Sequence, residues 1–118
     1  MPGMIVVHGL ASCDTTRAAR KLLKAQGVTF QFRDFGADAP SASEVGRWAK
    51  AVGAGKLLNK SSTTWRALPE ARKSTVDDAD VIALLVEYPK LMKRPLLEAG
   101  STVLSGFNET TWQAALNP

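Results

Sequence analysis

Ile5-Val-Val-His-Gly-Leu-Ala-Ser-Cys-Asp-Thr-Thr-Arg17 joins a β-rich run to the opening of a helix. Ile5-Val-Val7 ends at Gly9 and reads as a buried strand. The polar Asp14-Thr-Thr16 then starts a helix in which Ala18, Ala19, Leu22, Leu23 and Ala25 recur at helical spacing, and Gly27 stops it. Val28-Thr-Phe-Gln-Phe-Arg-Asp-Phe35 alternates, with Phe30 and Phe32 on one face, which predicts a second strand. Strand, helix and strand within about 30 residues have the size of a parallel βαβ unit.

Pro40-Ser41 begins another helix, capped by Ser41 or Ser43, with Val45, Trp48, Ala49 and Val52 as its apolar stripe. Gly53-Ala-Gly55 ends it. Residues 56–76 read as short helical pieces and turns, with Trp65 and Leu68 as core anchors. Asp77 or Asp78 caps a stronger helix with a stripe of Val81, Ile82, Leu85 and Val86, stopped by Pro89. Leu96-Leu97-Glu98 and Thr102-Val-Leu-Ser105 flank Ala99-Gly100 as a β-hairpin, and Asn108 caps a last helix carrying Trp112, Ala115 and Leu116. The order β-α-β, several helices, then β-β-α predicts an α/β fold with a small mixed sheet, in one domain over residues 1–118.

The chain has 118 residues, 45% apolar and 22% charged, enough for one modest core and too apolar for disorder. No apolar run approaches the roughly 20 residues of a membrane span, and Met1-Pro-Gly-Met-Ile-Val-Val-His8 lacks a signal-peptide pattern. A cytoplasmic, monomeric protein without membrane contact is expected. One cysteine and one histidine exclude an internal disulfide and argue against a metal site. The net charge of +4 is uneven. Residues 45–75 hold seven basic side chains against Glu70 alone. With no aromatic interleaving and no compact Lys/Arg run, this stretch reads as a solvated basic surface, and no direct nucleic-acid binding is expected.

Cys13 is the side chain able to carry chemistry. A helix N-terminus offers unpaired N–H groups and the positive end of the dipole, which favour a thiolate. Thr15, Thr16 and Arg17 lie in the first turn, while Asp14 opposes the thiolate unless its carboxylate faces away. Arg94-Pro95 is the second feature: an X-Pro bond opening a strand is compatible with either isomer, and Arg94 reads equally as a solvated loop charge.

The whole chain resembles the ArsC-type arsenate reductase family, a thioredoxin-like (glutaredoxin-like) fold with a helical insertion, which also includes Spx-type regulators and YffB-like proteins. The carrying residues are Ser12-Cys13-Asp14-Thr15, Leu57-Leu-Asn-Lys60, Thr63-Thr-Trp-Arg66, Lys93-Arg-Pro-Leu-Leu-Glu98 and Val103-Leu-Ser-Gly-Phe107. Leu-Asn-Lys followed by Thr-Thr-Trp-Arg is most similar to the YffB-like branch, associated with glutathione-using thiol reduction. The resemblance implies an insertion at about residues 36–76, Cys13 as nucleophile, and Arg94 as a substrate-site arginine beside a cis-proline, Pro95. It also shows departures. Two of the family's three arsenate-binding arginines are replaced, by Asn59 and Gly106, which argues against arsenate, although Lys60 or Arg66 can partly substitute. The family's assisting histidine stands four residues before the cysteine, at Gly9 here; His8, one place earlier, should face the other side of the strand.

The expected activity is that of a thiol-dependent oxidoreductase, with Cys13 and Arg94 catalytic and no bound cofactor. Glutathione, or another small thiol, is the expected co-substrate. Thr15, Thr16, Asn59, Lys60, Arg66 and Pro95 are the expected substrate-binding residues, the first two through their backbone N–H groups. Thr16 stands where Spx-type regulators place a second cysteine, so an oxidised Cys13 needs an external thiol to resolve it. The alternative is a regulator that docks on RNA polymerase or another protein.

Overall fold

A computed structural model describes residues 4–74 and 77–116. They divide into two compact units, one of residues 4–38 with 94–116, the other Ala39–Lys93.

The first unit is built on a four-stranded mixed sheet. Strands β1 (Ile5–Gly9), β2 (Gln31–Asp34), β3 (Leu96–Ala99) and β4 (Thr102–Ser105) lie in the order β2-β1-β3-β4. β1 runs parallel to β2 and antiparallel to β3, and β3 pairs antiparallel with β4. The register places Phe32, Val7, Leu97 and Leu104 in one row across the sheet. Helices α1 (Asp14–Ala25) and α7 (Glu109–Leu116) cover that row, and Val7, Ala19, Leu23, Leu97 and Trp112 form its fully buried core. The next row, Arg33, His8, Leu96 and Ser105, necessarily faces the other way.

Helix α1 buries Thr16, Ala19 and Leu23, whereas Ala18 and Ala25 are exposed and Leu22 is half-buried. The apolar pattern alone overstates the stripe, because short alanines on the flank are left at the surface. At its end, Gly27 at φ 71° lets its N–H reach Lys24 O at 3.1 Å and the Val28 N–H reach Leu23 O at 3.0 Å. This Schellman turn commits Val28 to the helix end, so β2 begins at Gln31, not at Val28 as the alternation suggests. Val28 and Phe30 still pack on the core. The hairpin between β3 and β4 turns at Gly100, φ 61°, and Asn108 Oδ1 caps α7 through the Thr111 N–H at 2.9 Å.

The second unit is helical: α2 (Ala42–Val52), α3 (Ala54–Leu57), α4 (Thr63–Ala67), α5 (Glu70–Lys73) and α6 (Asp78–Glu87), with a 3₁₀ turn at Pro89–Leu91. Its second long helix and that turn lie beyond residue 76, within the same unit as the short pieces. Reciprocal capping boxes start α2 (Ser41 with Glu44) and α6 (Asp77 with Asp80), which settles both N-caps. Helix α6 buries Val81, Leu84 and Leu85, while Ile82 and Val86 are half-buried. The buried residues follow i, i+3, i+4, and the i+1 positions fall on the flank. Leu68 is buried as expected, but Trp65 is half-buried, with Lys60 and Lys73 Nζ 5.6 and 5.9 Å from its ring centre. No helix among the described residues is long and apolar enough to cross a membrane.

Candidate functional site

Cys13 is the N-cap of α1, in extended conformation at φ −82° and ψ 123°. A turn closed by its N–H on Leu10 O (3.0 Å) carries the chain from β1 into the helix, and its carbonyl accepts the Arg17 N–H at 2.9 Å. Since β3 runs antiparallel to β1 with His8 opposite Leu96, the Arg94-Pro95 entry to β3 lies at the same end of the sheet. The Arg94–Pro95 peptide bond is cis. Pro95 is buried, and its carbonyl accepts the Gly106 N–H at 2.9 Å.

The Cys13 thiol is partly exposed. Burial alone raises its pKa, but the Thr16 hydroxyl, the backbone N–H groups of Thr16 and Thr15, and the Arg94 charge together hold it below the usual cysteine value. Sγ closes no cap hydrogen bond, so these groups act on it as oriented dipoles and a nearby charge rather than as tight partners. The Asp14 carboxylate pairs with Arg17 at the surface, so the acidic residue next to the thiol is already balanced.

Thr15 is exposed and Thr16 is closed to solvent. Thr16 packs on Gly9 so closely that a Cβ at position 9 would stand 2.6 Å from Thr16 Oγ1. Any side chain at that position would force Thr16 to shift. His8 is buried on the sheet face opposite the Val7 row, with Nε2 2.8 Å from Glu98 Oε1 and its ring stacked on Phe35 at 5.8 Å. It serves a cross-strand hydrogen bond.

Asn59, Lys60 and Arg66 belong to the unit Ala39–Lys93. Asn59 Oδ1 accepts the Ser61 N–H at 3.0 Å, its carbonyl accepts the Ser62 hydroxyl at 2.9 Å, and Ser62 Oγ in turn caps Trp65 N–H. Arg66 donates to Ser61 O at 3.0 Å. The Leu-Asn-Lys and Thr-Thr-Trp-Arg motifs therefore fold one turn into the start of α4, and Lys60 is left against the Trp65 ring. Among the described residues no three His, Cys, Asp or Glu side chains gather as a metal site. The buried Thr16 hydroxyl and the His8–Glu98 pair are the features that sequence reasoning missed. The spacing of Thr16, three residues past the N-cap, was the available signal for the first.

The model of the ArsC family matches residues 8–115. An uncharacterized Haemophilus influenzae protein is 36% identical over 112 residues, covering 95% of this chain and 98% of that one. The Bacillus subtilis regulatory protein MgsR is 27% identical over 111 residues, covering 92% and 86%. Among solved structures, the YffB protein superposes with a TM-score of 0.92 at 36% identity, over 96% of this chain and 99% of its own.

Proposed function

The chain belongs to the ArsC family, and on that premise we propose that it is a thiol-dependent reductase whose nucleophile is Cys13 and whose electron donor is glutathione or a similar small thiol. The observation that carries this reading is a partly exposed thiol at the N-cap of α1, held below its usual pKa with Arg94 beside it. That environment favours a nucleophilic thiolate.

In the proposed cycle the Cys13 thiolate attacks one sulfur of a disulfide substrate. The substrate S–S bond breaks, a mixed disulfide forms on Cys13, and the expelled thiolate takes a proton from solvent. A glutathione thiolate then attacks the outer sulfur of the mixed disulfide and releases Cys13 as thiolate. These two steps free one substrate thiol and leave the other half as a mixed disulfide with glutathione. A second glutathione thiolate attacks the glutathione sulfur of that disulfide and expels the second substrate thiol, so two glutathiones are oxidised to one glutathione disulfide and the substrate is reduced. The Thr15 and Thr16 N–H groups face the developing negative charge, and Arg94 offers a guanidinium to a carboxylate of the thiol. Because the Pro95 carbonyl is engaged by Gly106, a peptide docking alongside would pair with the backbone of Arg94. Arsenate is not the proposed substrate, since Asn59 and Gly106 stand where the family's arginines would clamp the oxyanion.

The test is the rate of Cys13 alkylation by iodoacetamide against pH, with the oxidised protein then offered glutathione. A midpoint well below that of a free thiol, with a glutathione adduct that Cys13→Ser lacks, supports the reading. An ordinary midpoint and slow labelling refute it.

A second reading, a regulator that binds a protein partner, draws on the MgsR likeness. The basic 45–75 stretch gives it little support, because Arg72 pairs with Glu87, Lys73 with Glu70, and Arg66 with Ser61 O. Pull-down with and without oxidant, repeated with Cys13→Ser, separates the two.

A further inference from the structure

Arg17, Arg20, Lys21 and Lys24 recur on α1 at intervals of three and four residues and line a shallow recess of about 270 Å³. At that spacing Arg17 and Lys24 each face both Arg20 and Lys21 as like charges, and such neighbours destabilise a helix. The macrodipole accounts for Lys24 in the last turn, but not for Arg17 near the positive end. Among the described residues one carboxylate answers the four cations: Asp14 pairs with Arg17, while no acidic side chain pairs with Arg20, Lys21 or Lys24. Arg20 is fixed in place, with its guanidinium carbon 3.8 Å from the centre of the Phe32 ring and its Nε buried without a hydrogen-bond partner. The basic 45–75 stretch differs, since Arg72 and Lys73 there have carboxylate partners in Glu87 and Glu70.

The stripe starts one turn from the candidate nucleophile. Cys13 caps α1 four residues before Arg17. At 1.5 Å per residue, Arg17 lies about 6 Å along the axis from Cys13, Arg20 and Lys21 about 11 Å, and Lys24 about 16 Å. At 3.6 residues per turn, positions 13, 17, 20 and 24 fall within about 60° of one another around that axis. The buried Thr16, Ala19 and Leu23 occupy another side of the helix.

We propose that this stripe is a docking track for an acidic polypeptide segment, so that the disulfide substrate is a protein whose reactive cysteine is flanked by Asp or Glu. The inference rests on the reading of Cys13 as a reactive thiol. Carboxylates laid along α1 relieve the repulsion among its cations. An extended chain advances about 3.3 Å per residue, so five of its residues cover the roughly 16 Å from Cys13 to Lys24. Its alternate side chains point the same way about 7 Å apart, close to the 5.4 Å step between helix turns and within the reach of long Lys and Arg side chains. Carboxylates at every second position therefore meet Arg17, the Arg20–Lys21 pair and Lys24 in turn. A single-stranded nucleic acid fits less well, because the Phe32 ring lies under the Arg20 guanidinium and offers no bare face to a base.

The experiment offers the reduced protein two peptides, each with one cysteine held as a mixed disulfide with thionitrobenzoate. In one the cysteine is flanked on both sides by glutamates at alternate positions, in the other by glutamines. The Cys13 thiolate attacks the peptide sulfur, a new S–S bond joins the peptide to Cys13, and the old bond breaks to release the thionitrobenzoate anion, the better leaving thiolate, whose absorbance is followed. The readout is the ratio of the two rates, in which the thiol's own reactivity cancels. At low salt the acidic peptide reacts about five- to tenfold faster with the wild type, and the ratio falls as salt is added. Lys21→Gln with Lys24→Gln lowers it to about two, and Lys21→Glu with Lys24→Glu to about one or below. Both lysines are exposed, so their replacement spares the core. A wild-type ratio of one with brisk release from both peptides overturns the docking track and leaves the nucleophile intact, as does a preference that the lysine variants keep. Tight binding of a single-stranded oligonucleotide that those variants abolish, with no preference between the peptides, assigns the stripe to nucleic acid and overturns the proposal. Release from neither peptide, with an ordinary alkylation midpoint for Cys13, overturns the thiol-reductase reading itself, and this proposal with it.

Discussion

Replacing Gly9 by alanine tests the packing that holds the candidate site together. Gly9 ends β1, opposite Asp34 of β2, with the side chain of Thr16 pressed against its Cα. The added methyl would lie 2.6 Å from Thr16 Oγ1, 2.8 Å from Cγ2 and 3.3 Å from Cβ. Thr16 cannot swing away, because it is branched at Cβ, confined by the helix and fully buried. Overpacking of this kind costs about 1–3 kcal/mol. The entropy that alanine removes from the unfolded chain returns about 0.4–1 kcal/mol, so the net loss is about 1–2 kcal/mol. Urea unfolding followed by circular dichroism reads it directly, and thermal unfolding should show a fall of about 3–8 °C. In a Thr16→Ala background the two closest atoms are gone, and the same replacement becomes neutral or stabilising, a coupling of about 1–3 kcal/mol. A Gly9→Ala protein as stable as the wild type, or equal losses in both backgrounds, would refute the packing argument.

Arg94→Gln should raise the midpoint of Cys13 alkylation, Arg94→Lys should largely preserve it, and added salt should narrow the difference between wild type and glutamine, since the contribution is coulombic. The reduced protein should gain stability over Cys13→Ser as pH rises: the folded thiol ionises at lower pH than the unfolded one, so the gain is complete above the unfolded value and vanishes as pH falls through the folded one. Parallel unfolding curves across that window, without a pH-dependent gap, would contradict it. Glu98→Ala removes the carboxylate 2.8 Å from His8 Nε2 and should cost about 1–3 kcal/mol in denaturant unfolding, with Cys13 alkylation unchanged. Asp77→Ala breaks the capping box of α6 and should cost about 1 kcal/mol, measured in the same way.

The fold was legible because its signals were local. The run Ile5-Val-Val7, the polar start at Asp14 and the Gly27 stop each mark a boundary that backbone chemistry enforces. The hairpin at Gly100 and the Asn108 cap are of the same kind. Errors arose where a neighbour in space outweighs the pattern along the chain. Val28 alternates like a strand residue but is claimed by the end of α1. Trp65 is large and apolar, yet its ring is shared with two lysines at a half-exposed position. Of the candidate site, Cys13 could be read from its place between a strand and a helix. Asn59 and Arg66 carry polar groups whose partners are two to five residues away, so their local role is invisible until the turn is built.

The register explains why the sheet can carry both stability and a reactive thiol. One row across the strands, Phe32, Val7, Leu97 and Leu104, is wholly apolar and is covered by α1 and α7. It fixes α1 along the middle of that helix, through Ala19 and Leu23, and leaves the first turn to be set by Thr16 against Gly9. The geometry at Cys13 therefore depends on one contact at the end of β1 more than on the core. A cavity made at Leu97 should lower stability by about 2–5 kcal/mol and leave the alkylation midpoint of the surviving folded protein where it was. A change at Gly9 or Thr16 should move that midpoint for a smaller loss of stability. If a Leu97→Ala protein, still folded, shifted its thiol midpoint as far as Thr16→Ala does, the core rather than the Gly9–Thr16 contact would be setting the thiol.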